Sequence, residues 1–205
     1  FEKHGKVIYN GIDTQKFRFS SRTRDEMRKQ LNLEKQFVIG HVGHFMKVKN
    51  QQFLISLMPG ILERRPEAVL LLLGDGELKE ENREYCKELG IEDKVIMAGN
   101  VSNVADYLCA MDVFVFPSLY EGMPLSVIEV QCNGLPCIIS DAVPEDVFLT
   151  DLITAIGLNE PKQRWIDEIC RTSRKNEESY GDKMMQSGFD KRVMLKRIYS
   201  IYDNI

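Results

Sequence analysis

Val113-Phe114-Val115-Phe116-Pro117-Ser118-Leu119-Tyr120-Glu121-Gly122-Met123-Pro124-Leu125-Ser126-Val127-Ile128-Glu129 decides how the rest of the chain is read. Its first four residues are an apolar run too short for a buried helix, and they read as a strand. Pro and Gly then break the chain, and an apolar helical pattern runs from Leu125 to Cys132. Two carboxylates bracket the turn, Glu121 in the loop and Glu129 in the opening of the helix. In an open parallel sheet, ligands bind beyond the carboxyl ends of the strands, where helix N-termini offer free N–H groups to anions. A nucleotide or a phosphorylated ligand is therefore the first candidate. A purely structural reading stands beside it: Ser126 as N-cap and Glu129 at N3 form a capping box, and Glu121 is an exposed loop acid.

Outward from this stretch, apolar runs alternate with helical patterns from residue 37 to residue 140. Gln36 to Val42, Ala68 to Leu73, Val95 to Met97, Val113 to Phe116 and Cys137 to Ser140 read as strands. The second is apolar without a break, as in a parallel strand buried on both faces. Gln51 to Arg65, Leu78 to Leu89, Asn103 to Met111 and Leu125 to Cys132 read as helices. Pro59-Gly60 predicts a kink or break inside the first of them. Gly90 closes the second as its C′ residue. This alternation implies right-handed crossovers and an α/β fold, a doubly wound parallel sheet with helices on both faces. Val7-Ile8-Tyr9 reads as a short strand ended by Asn10-Gly11, and Thr23 to Leu31 as a charged amphipathic helix. Beyond Ser140 the chain reads as a helical extension. Gln163 to Arg174 and Asp190 to Tyr202 carry apolar residues at three- and four-residue steps, and the stretch 173–188 reads as helix plus loop.

The totals narrow the function. A length of 205 residues suits one large domain. An apolar fraction of 43% with 28% charged residues is that of an ordinary globular protein, and the net charge of −4 speaks against nucleic acid as a partner. The five cysteines, Cys86, Cys109, Cys132, Cys137 and Cys170, have no C-x-x-C spacing and read as buried free thiols. The three histidines form no zinc pattern. No apolar run of about 18 residues and no signal peptide is present, which predicts a cytoplasmic protein. The opening Phe1-Glu2-Lys3-His4 lacks an initiator Met and reads as the start of a piece of a longer chain.

Neither G-x-G-x-x-G nor G-x-x-x-x-G-K-[ST] follows any strand, which removes the dinucleotide and P-loop fingerprints. What remains is a convergence of four strand-end loops: Gly43 to Asn50, Gly74 to Gly76, Gly99 to Asn103, and Ser118 to Ser126. Lys47 and Lys49 give the first of these cationic charge suited to phosphate.

With these residues in place, the chain resembles the C-terminal, nucleotide-sugar-binding domain of retaining glycosyltransferases of family 4, of the exopolysaccharide and capsule type. Four features carry the resemblance over about residues 7 to 145: Val7-Ile8-Tyr9-Asn10-Gly11-Ile12-Asp13, His41-Val42-Gly43 with Lys49-Asn50, Leu73-Gly74-Asp75-Gly76, and the E-x7-E motif of Glu121-Gly122-Met123-Pro124-Leu125 through Glu129. The resemblance implies a Rossmann-like sheet as one half of a GT-B fold, the acceptor-binding N-terminal half lying outside residues 1–205. It implies metal-independent transfer of a hexose with retention, from a UDP- or GDP-linked sugar to a saccharide or lipid-linked acceptor. No separate cofactor is implied, and the parent protein would sit at the inner face of the membrane. By resemblance Glu129 holds the ribose hydroxyls, and Glu121 holds the transferred sugar near its anomeric carbon. The backbone N–H groups of Gly122, Met123, Pro124 and Leu125 face sugar and diphosphate, Lys49 with Gly43 serves the diphosphate, and Asn100 and Val101 contact the base. Two departures are visible. His44 stands where the family has Arg, so that Lys47 either substitutes or leaves a weaker, pH-dependent phosphate site. The stretch 141–158 lacks the family's glycine-rich segment after Pro144-Glu145.

Overall fold

The computed structural model describes residues 8–175 and 179–202. Six parallel strands form one sheet: β1 (Phe37–Val42), β2 (Ala68–Leu73), β3 (Val95–Gly99), β4 (Val113–Phe116), β5 (Cys137–Ser140) and β6 (Ile153–Ile156). Their order is β3-β2-β1-β4-β5-β6. This is the order of doubly wound nucleotide-binding sheets, with the chain reversing its direction of travel between β1 and β4.

Strand periodicity of two explains how each strand serves two cores. In β2, Val69, Leu71 and Leu73 join one cluster while Ala68, Leu70 and Leu72 join the other. In β4, Phe114 and Phe116 point to the first, Val113 and Val115 to the second. The first core is closed by α4 (Val104–Ala110), α5 (Leu125–Cys132) and α7 (Ser179–Gln186), with α1 (Ser21–Gln30) packed on α4. The second is closed by α2 (Gln51–Arg64), α3 (Lys79–Glu88) and α6 (Lys162–Arg171), around the fully buried Trp165 and Phe45. All five cysteines are buried and free.

The structure corrects the sequence reading in four places. No break occurs at Pro59: α2 is continuous from Gln51 to Arg64. Proline removes a single donor from the ladder, while Leu54, Ile55, Leu57, Met58 and Ile61 are fully buried, so packing outweighs the lost bond. Gly60 assists by admitting Ile166 of α6, whose Cδ1 lies 2.7 Å from where a Cβ would stand. The region after Ser140 is not wholly helical, because Ile153–Ile156 adds β6 to the edge of the sheet. Ile8 and Tyr9 are not strand residues, and Val7 lies outside the described residues. The capping box is absent, since α5 begins at Leu125 after an N-cap Pro124, which places Ser126 inside the helix.

The segment before α1 is tied to the start of α8 (Lys191–Tyr202). Ile12 N–H donates to Phe189 C=O (2.7 Å) and Lys191 N–H to Ile12 C=O (2.9 Å). Thr14 hydrogen-bonds Asp190, and Lys191 pairs with Asp13. Beyond this clasp α8 buries none of its residues, leaving Leu195, Tyr199 and Tyr202 exposed. Among the described residues no helix is long and apolar enough to cross a membrane.

Candidate functional site

The loops after β1 and β4 flank the point where the strand order reverses. Each leaves a strand buried along all or nearly all of its length and enters a helix, so both loops stand on rigid supports. Lys47–Lys49 forms one 3₁₀ turn, and Asn50 at φ 55° redirects the chain into α2. Asparagine tolerates that left-handed backbone better than most residues. Its Nδ2 donates to Pro117 C=O (3.0 Å), and Leu119 N–H donates to Val48 C=O (2.8 Å), fastening one loop to the other.

Across this junction Lys49 Nζ donates to Glu121 Oε1 at 2.7 Å. Their side chains are only 19% and 10% exposed, and the ammonium lies 4.9 Å from the centre of the Phe116 ring. The charges are thus paired, and the cation rests on an aromatic face that favours it.

Gly74 and Gly76 explain themselves by close approach. At Gly74, φ is +133° and a Cβ would lie 2.1 Å from Gly43 O; at Gly76, φ is +154° and a Cβ would lie 2.5 Å from Phe45 O. The loops after β1 and β2 can therefore meet only through bare backbone. Gly43 N–H donates to Leu73 C=O (2.9 Å), Phe45 N–H to Asp75 C=O (2.9 Å) and Gly74 N–H to Gly99 C=O (2.9 Å), so the third loop is joined as well. The result is a cleft of about 240 Å³ lined by Gly43, His44, Gly74, Asn100, Val101 and Val104.

Glu129 lies on α5, where no hydrogen bond from the described residues reaches its carboxylate. Burial raises its pKa from 4.5 to about 7, against a smaller opposing pull from Lys16. A half-buried carboxylate with unused acceptors is prepared to receive hydroxyl donors.

The sequence-derived residues thus separate into groups. Lys49 and Glu121 meet directly, whereas Gly43, His44, Asn100 and Val101 share the 240 Å³ cleft. Lys47 is not beside His44 in that cleft: it lines a larger one, about 500 Å³, with Asn50, Gln51 and Leu119. Gly122 is exposed and Pro124 occupies the N-cap of α5; being proline, it has no N–H to offer, so only Gly122, Met123 and Leu125 can donate there.

Sequence reading quoted His41 only as the lead into the first glycine loop and gave it no role. It is fully buried at the end of β1, with Nδ1 2.9 Å from Val115 C=O, so the ring donates there and bridges the two strands at the reversal. Nε2 has no partner, and burial lowers the pKa to about 4, which keeps the ring neutral. It stacks on Phe114 and Phe116, placing a rigid aromatic stack beneath Lys49. A polar residue closing an otherwise apolar strand was the available signal.

A six-stranded parallel sheet of this order, with a built crevice at its reversal point, defines a Rossmann-like ligand-binding domain. Residues 23–175 match the family of glycosyl transferases group 1. The chain is 34% identical over 202 residues to EpsF of Bacillus subtilis, covering 96% of this chain and 53% of that relative. It is 36% identical over 139 residues to the Escherichia coli UDP-Gal:alpha-D-GlcNAc-diphosphoundecaprenol alpha-1,3-galactosyltransferase, covering 66% of this chain and 36% of that one. The crystal structure of Anabaena HepE in complex with UDP and glucose superposes with a TM-score of 0.81 over 98% of this chain and 57% of HepE, at 21% identity. The chain belongs to the group 1 glycosyltransferases and has the Rossmann-like architecture of a GT-B half. It spans about half the length of EpsF and about a third of the galactosyltransferase.

Proposed function

We propose that the chain is the donor-binding C-terminal half of a retaining, metal-independent hexosyltransferase of bacterial polysaccharide synthesis. The N-terminal half of the parent protein would carry the saccharide or lipid-linked acceptor, and the parent would work in the cytoplasm at the inner face of the membrane. The observation that carries this reading is the Lys49–Glu121 pair across the β1/β4 junction, with the unpartnered carboxylate of Glu129 on the helix that leaves the same loop.

In this reading the nucleotide base lies by Asn100 and Val101, and the ribose hydroxyls donate to Glu129. The diphosphate approaches Gly43, His44 and Lys49. As the bond between the anomeric carbon and the phosphate oxygen breaks, its electron pair goes to the diphosphate, and the sugar gains positive charge. Lys49 offsets the first charge and Glu121 the second, so the pair that neutralises itself without ligand opposes both charges of the transition state. His44, lining the same cleft, offers a ring N–H donor to the phosphate. Lys47, in the neighbouring cleft, acts at longer range.

Calorimetry with UDP, GDP and ADP and their hexose conjugates tests this, on the chain and on Glu129→Ala. Binding of one nucleotide that weakens in Glu129→Ala is expected. Absence of binding by all three would overturn the reading. A second reading, a nucleotide-binding module without transfer, is favoured for residues 1–205 in isolation, since the acceptor groups would lie outside them. Hydrolysis or transfer of the donor sugar by this chain alone would refute that.

A further inference from the structure

The larger cleft, about 500 Å³, is not the one expected to hold a nucleotide. It opens between the loop after β1, the start of α2 and the start of α3, with Leu119 from the loop after β4 as its far wall. Four of its lining residues are amides, and two of these, Gln51 and Asn82, are only 1% and 3% exposed. Their orientation is fixed by their donors: Gln51 Nε2 bonds His44 C=O (2.9 Å) and Asn82 Nδ2 bonds Leu78 C=O (2.8 Å). Each amide oxygen is consequently left as an acceptor, and neither Gln51 Oε1 nor Asn82 Oδ1 has a partner. An unpaired buried acceptor is costly and uncommon, and two lining one cleft call for donors.

The remaining lining defines which donors. Glu77 and Glu81 are exposed carboxylates at the rim; with the amides of Asn50, Gln51, Gln52 and Asn82 they make six acceptor-bearing side chains against the single cation Lys47. That balance is wrong for a phosphate or any other anion. Met46 and Leu119, 37% and 44% exposed, add apolar surface on opposite sides. Acceptors on a partly apolar wall suit a molecule with many hydroxyls and apolar C–H faces. The volume lies within the range of small-ligand pockets and fits a mono- or disaccharide.

We infer that this cleft is a neutral-saccharide site, separate from the nucleotide cleft. Sugar hydroxyls donate to the two glutamates at the rim and, once each amide turns out of its present bond to His44 or Leu78 C=O, to Gln51 Oε1 and Asn82 Oδ1, which now lie closed to solvent beneath the cleft. The loops that wall it are the same two that hold Lys49 against Glu121, because Asn50 and Leu119 belong to them. A bound saccharide is thereby coupled to that pair. The inference does not depend on which nucleotide the chain binds.

Amide-resolved NMR on the ¹⁵N-labelled chain tests it, with maltose, lactose and cellobiose as probes and a parallel titration with UDP. Saturable millimolar shifts of the Gln51 and Asn82 side-chain amides by at least one disaccharide are expected. In the surface variant Glu77→Gln/Glu81→Gln the same titration should weaken roughly tenfold, as loss of charged acceptors implies. Asn82→Leu should abolish it, and unchanged backbone spectra of the glutamate variant guard against misfolding as the cause. Three results would each overturn the inference: no saccharide shifts these amides, the shifts do not saturate, or they fall on Gly122 and Glu129 instead. A UDP response without a saccharide response would sink this site and leave the donor reading standing.

Discussion

Replacing Glu129 by Gln should make the chain more stable and a poorer ligand binder at once. Burial moves the carboxyl pKa from 4.5 to about 7. A raised pKa in an acid means that the folded state disfavours the charged form. The penalty is therefore absent below the unfolded pKa near 4.5, grows as pH rises toward 7, and is constant above it. Converted directly, the displacement amounts to about 3 kcal/mol, and screening at a partly exposed carboxylate reduces this to about 1–2 kcal/mol. Glu129→Gln removes that penalty. At pH 8 it should raise the melting temperature by roughly 2–6 °C for a domain of this size. At pH 5, where wild-type Glu129 is largely protonated, most of the gain should disappear. Thermal melts followed by circular dichroism at both pH values measure this. Nucleotide affinity should move the other way, falling tenfold or more as charge-assisted bonds to ribose are lost. A gain equal at pH 5 and pH 8, or a loss of stability at pH 8, would refute the assignment of the shift to desolvation.

Lys49→Ala should destabilise the chain by roughly 2–3 kcal/mol in urea titrations, because it leaves a largely buried Glu121 without its cation; adding Glu121→Gln should recover part of that loss. Gly74→Ala should cost at least about 2 kcal/mol by the same measurement, since φ of +133° and a Cβ 2.1 Å from Gly43 O cannot both be accommodated. An aromatic disulfide reagent should label none of the five cysteines in the native chain and all five in urea, for all are buried, and burial pushes the Cys86 and Cys132 thiols up to about 11 and about 12. Nucleotide binding measured by calorimetry should be unchanged by EDTA, with a loss of binding arguing for a bound divalent ion.

The sheet from residue 37 to residue 140 was legible because parallel strands leave near-continuous apolar runs, and Ala68–Leu73 and Val113–Phe116 have no other reading. The edge strand β6 was not, since Ile153 and Thr154 are only partly buried, Ala155 is exposed, and the three carry no such run. Its β-branched residues between Asp151 and Gly157 were the signal available. Helix α2 was misjudged at Pro59 because local propensity is blind to five fully buried side chains on the same helix. At the site, Glu121, Glu129 and Lys49 could be named from their strand-end loops and the family resemblance, but the bond between Lys49 and Glu121 could not, because it joins residues 72 positions apart. Gln51 and Asn82 escaped for a related reason: an amide in a helix looks ordinary until the structure leaves its oxygen without a partner.

The clasp between Ile12 and Asp190 gives the chain a mechanical character. Ile12 and the start of α8 at Lys191 meet at one point, held by two backbone bonds in parallel register and reinforced by Thr14 and Asp13. A load applied through either strand of the pair is met in shear, the stiff direction for such bonds, and passes to its neighbour before it reaches the sheet.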